Sequence, residues 1–410
     1  ADVLFIDSTH SGTTQVYAGD GNATTNERDD TIAINTIAGI TTVHGQAGND
    51  FVEVNVDAPV LPQDASFASL DPIAGFFVRT DLNGIAAVLN LHGEGGSDQT
   101  TVNFAGEGAA LINVLDNGAA NDGADTLIVN GDDNPEVPLS DTVIDDTFLL
   151  RRDFLVLLNE SVAGAGFDSQ ERINYDENIN ARLIVNGLAG NDKIVADDNS
   201  SITTLDGGSG NDIFQIGQVF GTPRNTDAGI DAEDAFDTDT TAVIIGLIRD
   251  PYTNAVIFDP TSFDPVLDEI DAQTLAAIKD AVNDQKALGL ALNGVAYVSN
   301  GVSQATTVFG GAGEDTFNVY HNKGTLRLEG EADNDTFIVR AFVTIDLSDN
   351  NEGVVQQGDT EVNGGGGADT INYAINAPVS VDGGTGFDKV VVLGTPFNDN
   401  FVVTSEGIFG

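Results

Sequence analysis

Cysteine is absent from the chain, which excludes disulfides and thiolate-bound metals as sources of stability. Methionine is absent too, including at position 1, and Ala1 is not followed by a signal-peptide pattern. The expectation is a processed product, or a segment of a longer protein. No apolar run reaches the roughly 18 residues of a helical membrane span, and the longest apolar stretch, residues 148–158, is broken by Arg151, Arg152 and Asp153. Basic side chains are scarce: 15 Lys and Arg stand against 65 Asp and Glu, for a formal charge of −50 over 410 residues. Such a chain repels phosphate, so no nucleic-acid partner is expected. Its self-repulsion also opposes compaction unless cations are bound. A solvated acidic surface, as in a halophilic or marine protein, accounts for scattered acids but not for acids in register with glycine. The four histidines, His10, His44, His92 and His321, are dispersed, and His44 and His92 each directly precede a loop glycine. No local motif joins a serine to a histidine and an acid, and carboxylates are too abundant for any pair to stand out as catalytic. The expectation is that the chain is not an enzyme.

Glycine, by contrast, occurs 47 times, and much of it is patterned. Nine times a glycine set in the same hydrophobic phase is followed five residues later by an aspartate: Gly45/Asp50, Gly93/Asp98, Gly187/Asp192, Gly207/Asp212, Gly310/Asp315, Gly330/Asp335, Gly364/Asp369, Gly383/Asp388 and Gly394/Asp399. An apolar residue sits two positions before each glycine: Val43, Leu91, Val185, Leu205, Val308, Leu328, Val362, Val381 and Val392. Others follow at two and four positions after most aspartates, as in Phe214 and Ile216, Phe317 and Val319, or Phe337 and Val339. Alternate side chains of a strand share a face, so the unit reads strand, tight loop, strand. One glycine–aspartate turn would be an ordinary β-turn, but nine in phase describe a repeat.

Spacing tells how the units stack. Gly187 to Gly207 and Gly310 to Gly330 are 20 residues apart and Gly364 to Gly383 is 19, each enough for two strands and two turns. Gly383 to Gly394 is 11, half a coil, which places that loop on the opposite side. The fold expected is all-β, an elongated parallel β-helix or β-roll in which each coil buries its apolar face against its neighbours.

Within the loops, Gly207, Gly208 and Gly210 lead to Asp212, Gly310, Gly311 and Gly313 to Asp315, and Gly383, Gly384 and Gly386 to Asp388. Glycine admits positive φ, which lets a short turn aim several carbonyls inward. Carbonyls with a carboxylate form a hard oxygen cage suited to calcium rather than zinc or copper. These loops resemble the hemolysin-type calcium-binding repeat (RTX) family, whose nonapeptide is G-G-x-G-x-D-x-U-x. The resemblance covers 15–55, 89–130, 182–217 and 306–404. It implies several Ca2+ ions held between adjacent coils by loop carbonyls and the aspartate side chain, best at the stacked pairs Asp192 with Asp212, Asp315 with Asp335, and Asp369 with Asp388. Gly187, Gly330, Asp333, Gly364 and Gly367 complete those loops. Asp50, Asp98 and Asp399 are weaker candidates: Asp50 and Asp98 lack a partner at one-coil spacing, and Phe397 at the fourth position of its loop suggests that Gly394 opens a plain turn. Gln46, Glu94, Leu188, Glu331 and Thr395 replace the second glycine, and Asp333 the fourth. Lengthened versions run from Gly19 to Asp30 and from Gly118 to Asp125, keeping the phase at Ile32, Ile34, Leu127 and Val129.

The chain divides into a first group of coils (1–130, with a proline-bearing excursion at 58–72) and a strand-patterned stretch without glycine loops (131–181). Further coils (182–220), an insertion (221–300) and the last coils (301–410) follow. The insertion holds an acidic loop (Asp227, Asp231, Glu233, Asp234, Asp237, Asp239) and a helical spacing of Leu267, Ile270, Leu275, Ile278 and Val282. Asp264 and Pro265 are the expected helix start. That helix is expected to cover a flank or an edge, and the acidic loop is a further calcium candidate. The leading functional expectation is a calcium-dependent structural module of a secreted bacterial surface or matrix protein, such as a surface layer, filament or adhesin shaft. It would self-associate, or continue into a longer chain. Alternatives are a polysaccharide-binding or polysaccharide-modifying β-helix, and a calcium-triggered secretion or folding domain of a larger secreted enzyme or toxin.

Overall fold

The computed structural model describes residues 2–19, 29–55, 83–106, 108–118, 123–132, 144–160, 167–218, 220, 240–244, 247–259, 271–288, 295–340, 343–345, 354–355, 357–375, 377–394, 401–404 and 407–409. Among the described residues the protein is mostly β, with 52% in strands. It divides into two units, Ala1–Lys193 with Ser200–Gly210, and Ile194–Asn199 with Asn211–Gly410.

In the first unit the chain passes alternately between two parallel sheets. One sheet runs through Val3–Ile6, Thr31–Ile34, Phe51–Val54, Gln99–Asn103, Thr126–Asn130, Arg182–Asn186 and Thr203–Ser209, each strand parallel to the last. The other runs through Thr14–Tyr17, Thr41–Ala47, Leu89–Gly95, Ala110–Leu115 and Phe167–Asn174, also parallel. Strand side chains alternate as a pleat requires: Ile32, Ile34, Leu127, Val129, Leu183 and Val185 are fully buried, while Ala33, Ile128 and Ile184 between them are only half-buried. Within 131–181 the described strands Thr147–Arg151, Phe154–Glu160 and Phe167–Asn174 form an antiparallel meander. Arg152 and Asp153, which break the apolar run in the sequence, make its first turn.

The second unit repeats the plan. Thr306–Ala312, Leu326–Ala332, Thr360–Asn363 and Val379–Asp382 pair in parallel. Ile213–Ile216, Thr316–Val319, Thr336–Val339, Thr370–Ala374 and Lys389–Leu393 make the second parallel sheet. Identical register positions place Phe214, Phe317 and Phe337 over one another, with ring centroids 4.9 and 4.5 Å apart and every ring fully buried. Each such stacked pair adds about 0.5–1.5 kcal/mol beyond its area burial.

From the insertion, Thr240–Ile244 pairs antiparallel with Val295–Ser299 and with Val343–Ile345. A helix spans Ala272–Ala287, with Leu275, Ile278, Ala281 and Val282 buried where it meets the hairpin of Ile248–Arg249 and Val256–Phe258. Its cap is Asp271, whose Oδ1 accepts the backbone N–H groups of Gln273 and Thr274, both at 2.9 Å. The expected start at Asp264 and Pro265, the positions Leu267 and Ile270, the acidic loop at 227–239 and the excursion at 58–72 lie outside the described residues. Beyond the last coil, Val402–Thr404 folds back on Gly407–Phe409 as a short hairpin.

Candidate functional site: stacked glycine–aspartate loops

The first glycine of each loop is required by its own aspartate. A Cβ on Gly310 would lie 2.3 Å from Asp315 Oδ2 and 2.9 Å from the carbonyl oxygen of Gly330, one coil further on. The same two contacts recur at Gly330 (Asp335 Oδ2 2.3 Å, Gly364 O 2.4 Å), Gly364 (Asp369 Oδ2 2.4 Å, Gly383 O 2.5 Å), Gly187 (Asp192 Oδ2 2.3 Å, Gly207 O 2.6 Å) and Gly45 (Asp50 Oδ2 2.5 Å, Gly93 O 2.8 Å). At these five loops a carboxylate oxygen and a carbonyl oxygen of the neighbouring loop converge where a side chain would otherwise begin.

Backbone conformation is equally regular. The second position takes positive φ whether or not it is glycine: Gly208 94°, Gly311 102°, Gly384 81°, but also Gln46 75°, Glu94 72°, Leu188 76° and Glu331 71°. The fourth does the same at Gly210 (132°), Gly313 (130°), Gly367 (149°) and Gly386 (148°), and at Asp333 (75°). Left-handed backbone at a non-glycine residue costs about 1–2 kcal/mol. The loop conformation is therefore kept where the glycine is lost.

The aspartates form columns. In the second unit the backbone N–H of Asp212 donates to Asp315 Oδ1 at 2.7 Å, that of Asp315 to Asp335 Oδ1 at 2.8 Å, that of Asp335 to Asp369 Oδ1 at 2.8 Å, and that of Asp369 to Asp388 Oδ1 at 3.2 Å. In the first unit the same bond links Asp30 to Asp50 at 2.8 Å, Asp50 to Asp98 at 2.7 Å and Asp98 to Asp125 at 2.9 Å. Asp50 and Asp98, without a visible partner in the sequence, are thus successive rungs of one column, which continues through the lengthened loops at Asp30 and Asp125. A second column of this unit passes from Asp132 to Asp146 Oδ2 (2.8 Å) and from Asp146 to Asp192 Oδ1 (2.7 Å). The first column precedes strands of one sheet and Asp146 precedes a strand of the other, so the loops change sides within the unit.

A parallel set of bonds, not anticipated from the motif, runs the other way. At three loops the asparagine before the aspartate offers its side-chain oxygen to a backbone N–H of the next loop in the column: Asn49 to Ser97 at 2.8 Å, Asn211 to Glu314 at 2.7 Å, Asn334 to Ala368 at 2.8 Å. The recurring Asn-Asp dipeptide in the sequence was its only signal.

Electrostatically the columns are costly as they stand. Asp50, Asp98, Asp315, Asp335 and Asp369 are each at most 7% exposed, and their Oδ2 atoms are buried with no hydrogen-bond partner. Burial pushes the carboxyls up, to about 6 at Asp50, about 7 at Asp98 and Asp315 and about 8 at Asp335; the backbone N–H bond opposes this and neighbouring aspartates add to it. Asp369 is raised by burial in the same way. Among the described residues no point gathers three or more His, Asp or Glu side chains. A cation at these loops would therefore draw on carbonyl oxygens as well as carboxylates.

Of the paired loops expected from the sequence, Asp315 with Asp335 and Asp369 with Asp388 are adjacent rungs. Asp192 and Asp212 fall in different units, while Gly187 and Gly207 meet within the first. Asp399 lies outside the described residues. His44 and His92 are register partners and stack at 5.1 Å, with Tyr17 on the other face of His44 at 4.6 Å. Comparison with known protein families, with curated proteins and with solved structures finds no match to this chain.

Proposed function

We propose that the chain is a calcium-dependent structural module of a secreted bacterial surface or matrix protein, a parallel β-helix or β-roll whose coils are joined by Ca2+ at the glycine–aspartate loops. The observation that carries this reading is the registered column of buried carboxylate oxygens without partners. An ionised carboxylate buried alone costs several kcal/mol, and here the cost recurs at Asp50, Asp98, Asp315, Asp335 and Asp369. The donor set is all oxygen, which suits calcium. The residues that would hold it are those aspartates with Asp192, Asp212 and Asp388, and the loop carbonyls of Gly93, Gly207, Gly330, Gly364 and Gly383. Bound calcium supplies positive charge between rungs.

Extracellular calcium modules bind at about 10⁻⁴ to 10⁻³ M, so the chain would be marginally stable and largely unfolded in a calcium-poor cytosol at about 37 °C and complete its folding after export. A structural rather than catalytic role fits carboxylates that are buried away from substrate. Apolar residues exposed on sheet-end strands, Val3 and Phe5 in the first unit and Val390 and Leu393 in the second, favour self-association or continuation into further coils. A sugar platform finds less support, because Tyr17, His44 and His92 spend their ring faces on one another. Circular dichroism during an EGTA titration tests the proposal: a weaker β signal and a lower melting temperature are expected on chelation, and an unchanged spectrum and melting temperature would overturn it.

A further inference from the structure

Buried carboxylates also occur outside the repeat loops. Glu171, in the last strand of the meander, is fully buried. Its Oε2 accepts the Ala105 backbone N–H at 3.1 Å and lies 3.4 Å from Asn83 Nδ2. Its Oε1 is buried with no hydrogen-bond partner. Asn159 stands beside it on the neighbouring strand. The Asn159 amide nitrogen donates to Gly108 O at 3.2 Å and Ser169 Oγ at 3.0 Å, leaving a buried Oδ1 that also has no partner. Across from them is Asp132, 7% exposed, whose Oδ2 lies 2.3 Å from the position a Cβ would take on Gly106. The backbone N–H of Gly106 in turn faces Glu171. The two carboxylates thus face the left-handed turn at Gly106, where φ is 67°, and the Asn159 amide group lies against Glu171.

Both unpartnered atoms, Glu171 Oε1 and Asn159 Oδ1, are acceptors, so what they lack is a donor or a positive charge. Neighbouring buried carboxylates repel one another, which favours the charge. Burial, with Asp132 adding to it, pushes the Glu171 carboxyl up to about 7, as expected of a site built for a counter-ion. Oxygen donors without nitrogen or sulfur select a hard cation.

We propose that Glu171, Asp132 and Asn159 hold one hard divalent cation of the calcium class. Asp132 is the first rung of the column through Asp146 and Asp192, but Glu171 and Asn159 lie outside every glycine–aspartate loop, so substitutions at those two test this site apart from the calcium reading of the loops.

Native mass spectrometry and calorimetric titration of the full chain with CaCl2 test it. Glu171→Gln keeps the volume and removes the charge, and is expected to bind one ion fewer than the unaltered chain at saturation. Asn159→Asp adds a ligand charge, and is expected to tighten one site on the order of tenfold; it also serves if Glu171→Gln fails to fold. An unchanged ion count in Glu171→Gln, or an Asn159→Asp chain that melts lower without gaining affinity, would overturn the proposal in favour of a shared proton or a buried water. Asp335→Asn reports the loops separately: ions lost there but retained in Glu171→Gln would sink this site and leave the loop reading standing.

Discussion

The backbone N–H of Asp315 donates to Oδ1 of Asp335 at 2.8 Å, while Oδ2 of the same Asp335 is buried without a partner. One oxygen fixes the distance between coils and the other carries the unmet charge, so substitution can separate the two roles. Asp335→Asn retains an oxygen acceptor and removes the charge. It is expected to melt at or above the unaltered chain in EGTA and below it in millimolar calcium. Asp335→Ala, which also strands the Asp315 N–H, is expected to lose about 1–3 kcal/mol in both conditions. Thermal melts of the two variants with and without calcium check this, and identical calcium responses would contradict it.

In the chelated protein, stability should fall as pH rises. Burial raises Asp50, Asp98, Asp315 and Asp335 from 3.8 to between about 6 and about 8. Between pH 4 and 8, therefore, the folded chain holds more protons at these groups than the unfolded chain does. Their stabilising contribution is complete below about pH 4 and lost as pH climbs through the folded values. His321, whose imidazole burial pushes from 6.5 down to about 4, acts in the opposite sense over that narrower window. Urea midpoints in EGTA should be lower at pH 8 than at pH 6.5, a window above the histidine's range. A higher midpoint at pH 8 would contradict the assignment.

Gly310→Ala should destabilise by about 1–3 kcal/mol, because its Cβ would overlap Asp315 Oδ2. Gly366→Ala is the matched control: the nearest atom to its added Cβ is Thr385 Oγ1 at 3.4 Å, an ordinary contact, and its change should stay within about 0.5 kcal/mol. Denaturant unfolding of the two variants decides between a glycine kept for space and one kept for flexibility.

Asn334→Ala removes the acceptor for the Ala368 N–H and is expected to cost about 0.5–1.5 kcal/mol. The loss should be equal in calcium and in EGTA, since this oxygen belongs to the reverse set of bonds rather than to the aspartate column. Paired unfolding curves measure it.

Much of the architecture was legible because a strand's period of two locks apolar positions to the loop. Val308, Phe317 and Val319, read as inward from spacing alone, are fully buried. Leu188 and Glu331 hid the loop conformation behind side chains that rarely take positive φ, yet both adopt it. The pairing of Asp50 with Asp98 was hidden by distance, since 48 residues separate two rungs that touch. Nothing in a linear spacing says that a long excursion leaves and rejoins the column at the same level. The meander was obscured for a similar reason: Phe148 and Leu150 keep the inward phase whether their strand runs parallel or antiparallel to its neighbour.

One hydrogen bond closes a coil whether 20 residues intervene, as between Asp315 and Asp335, or 103, as between Asp212 and Asp315. Such a column is indifferent to the cargo hung between its rungs. Foreign peptides or whole domains grafted into these excursions are expected to leave the hydrogen bonds between the rungs in place.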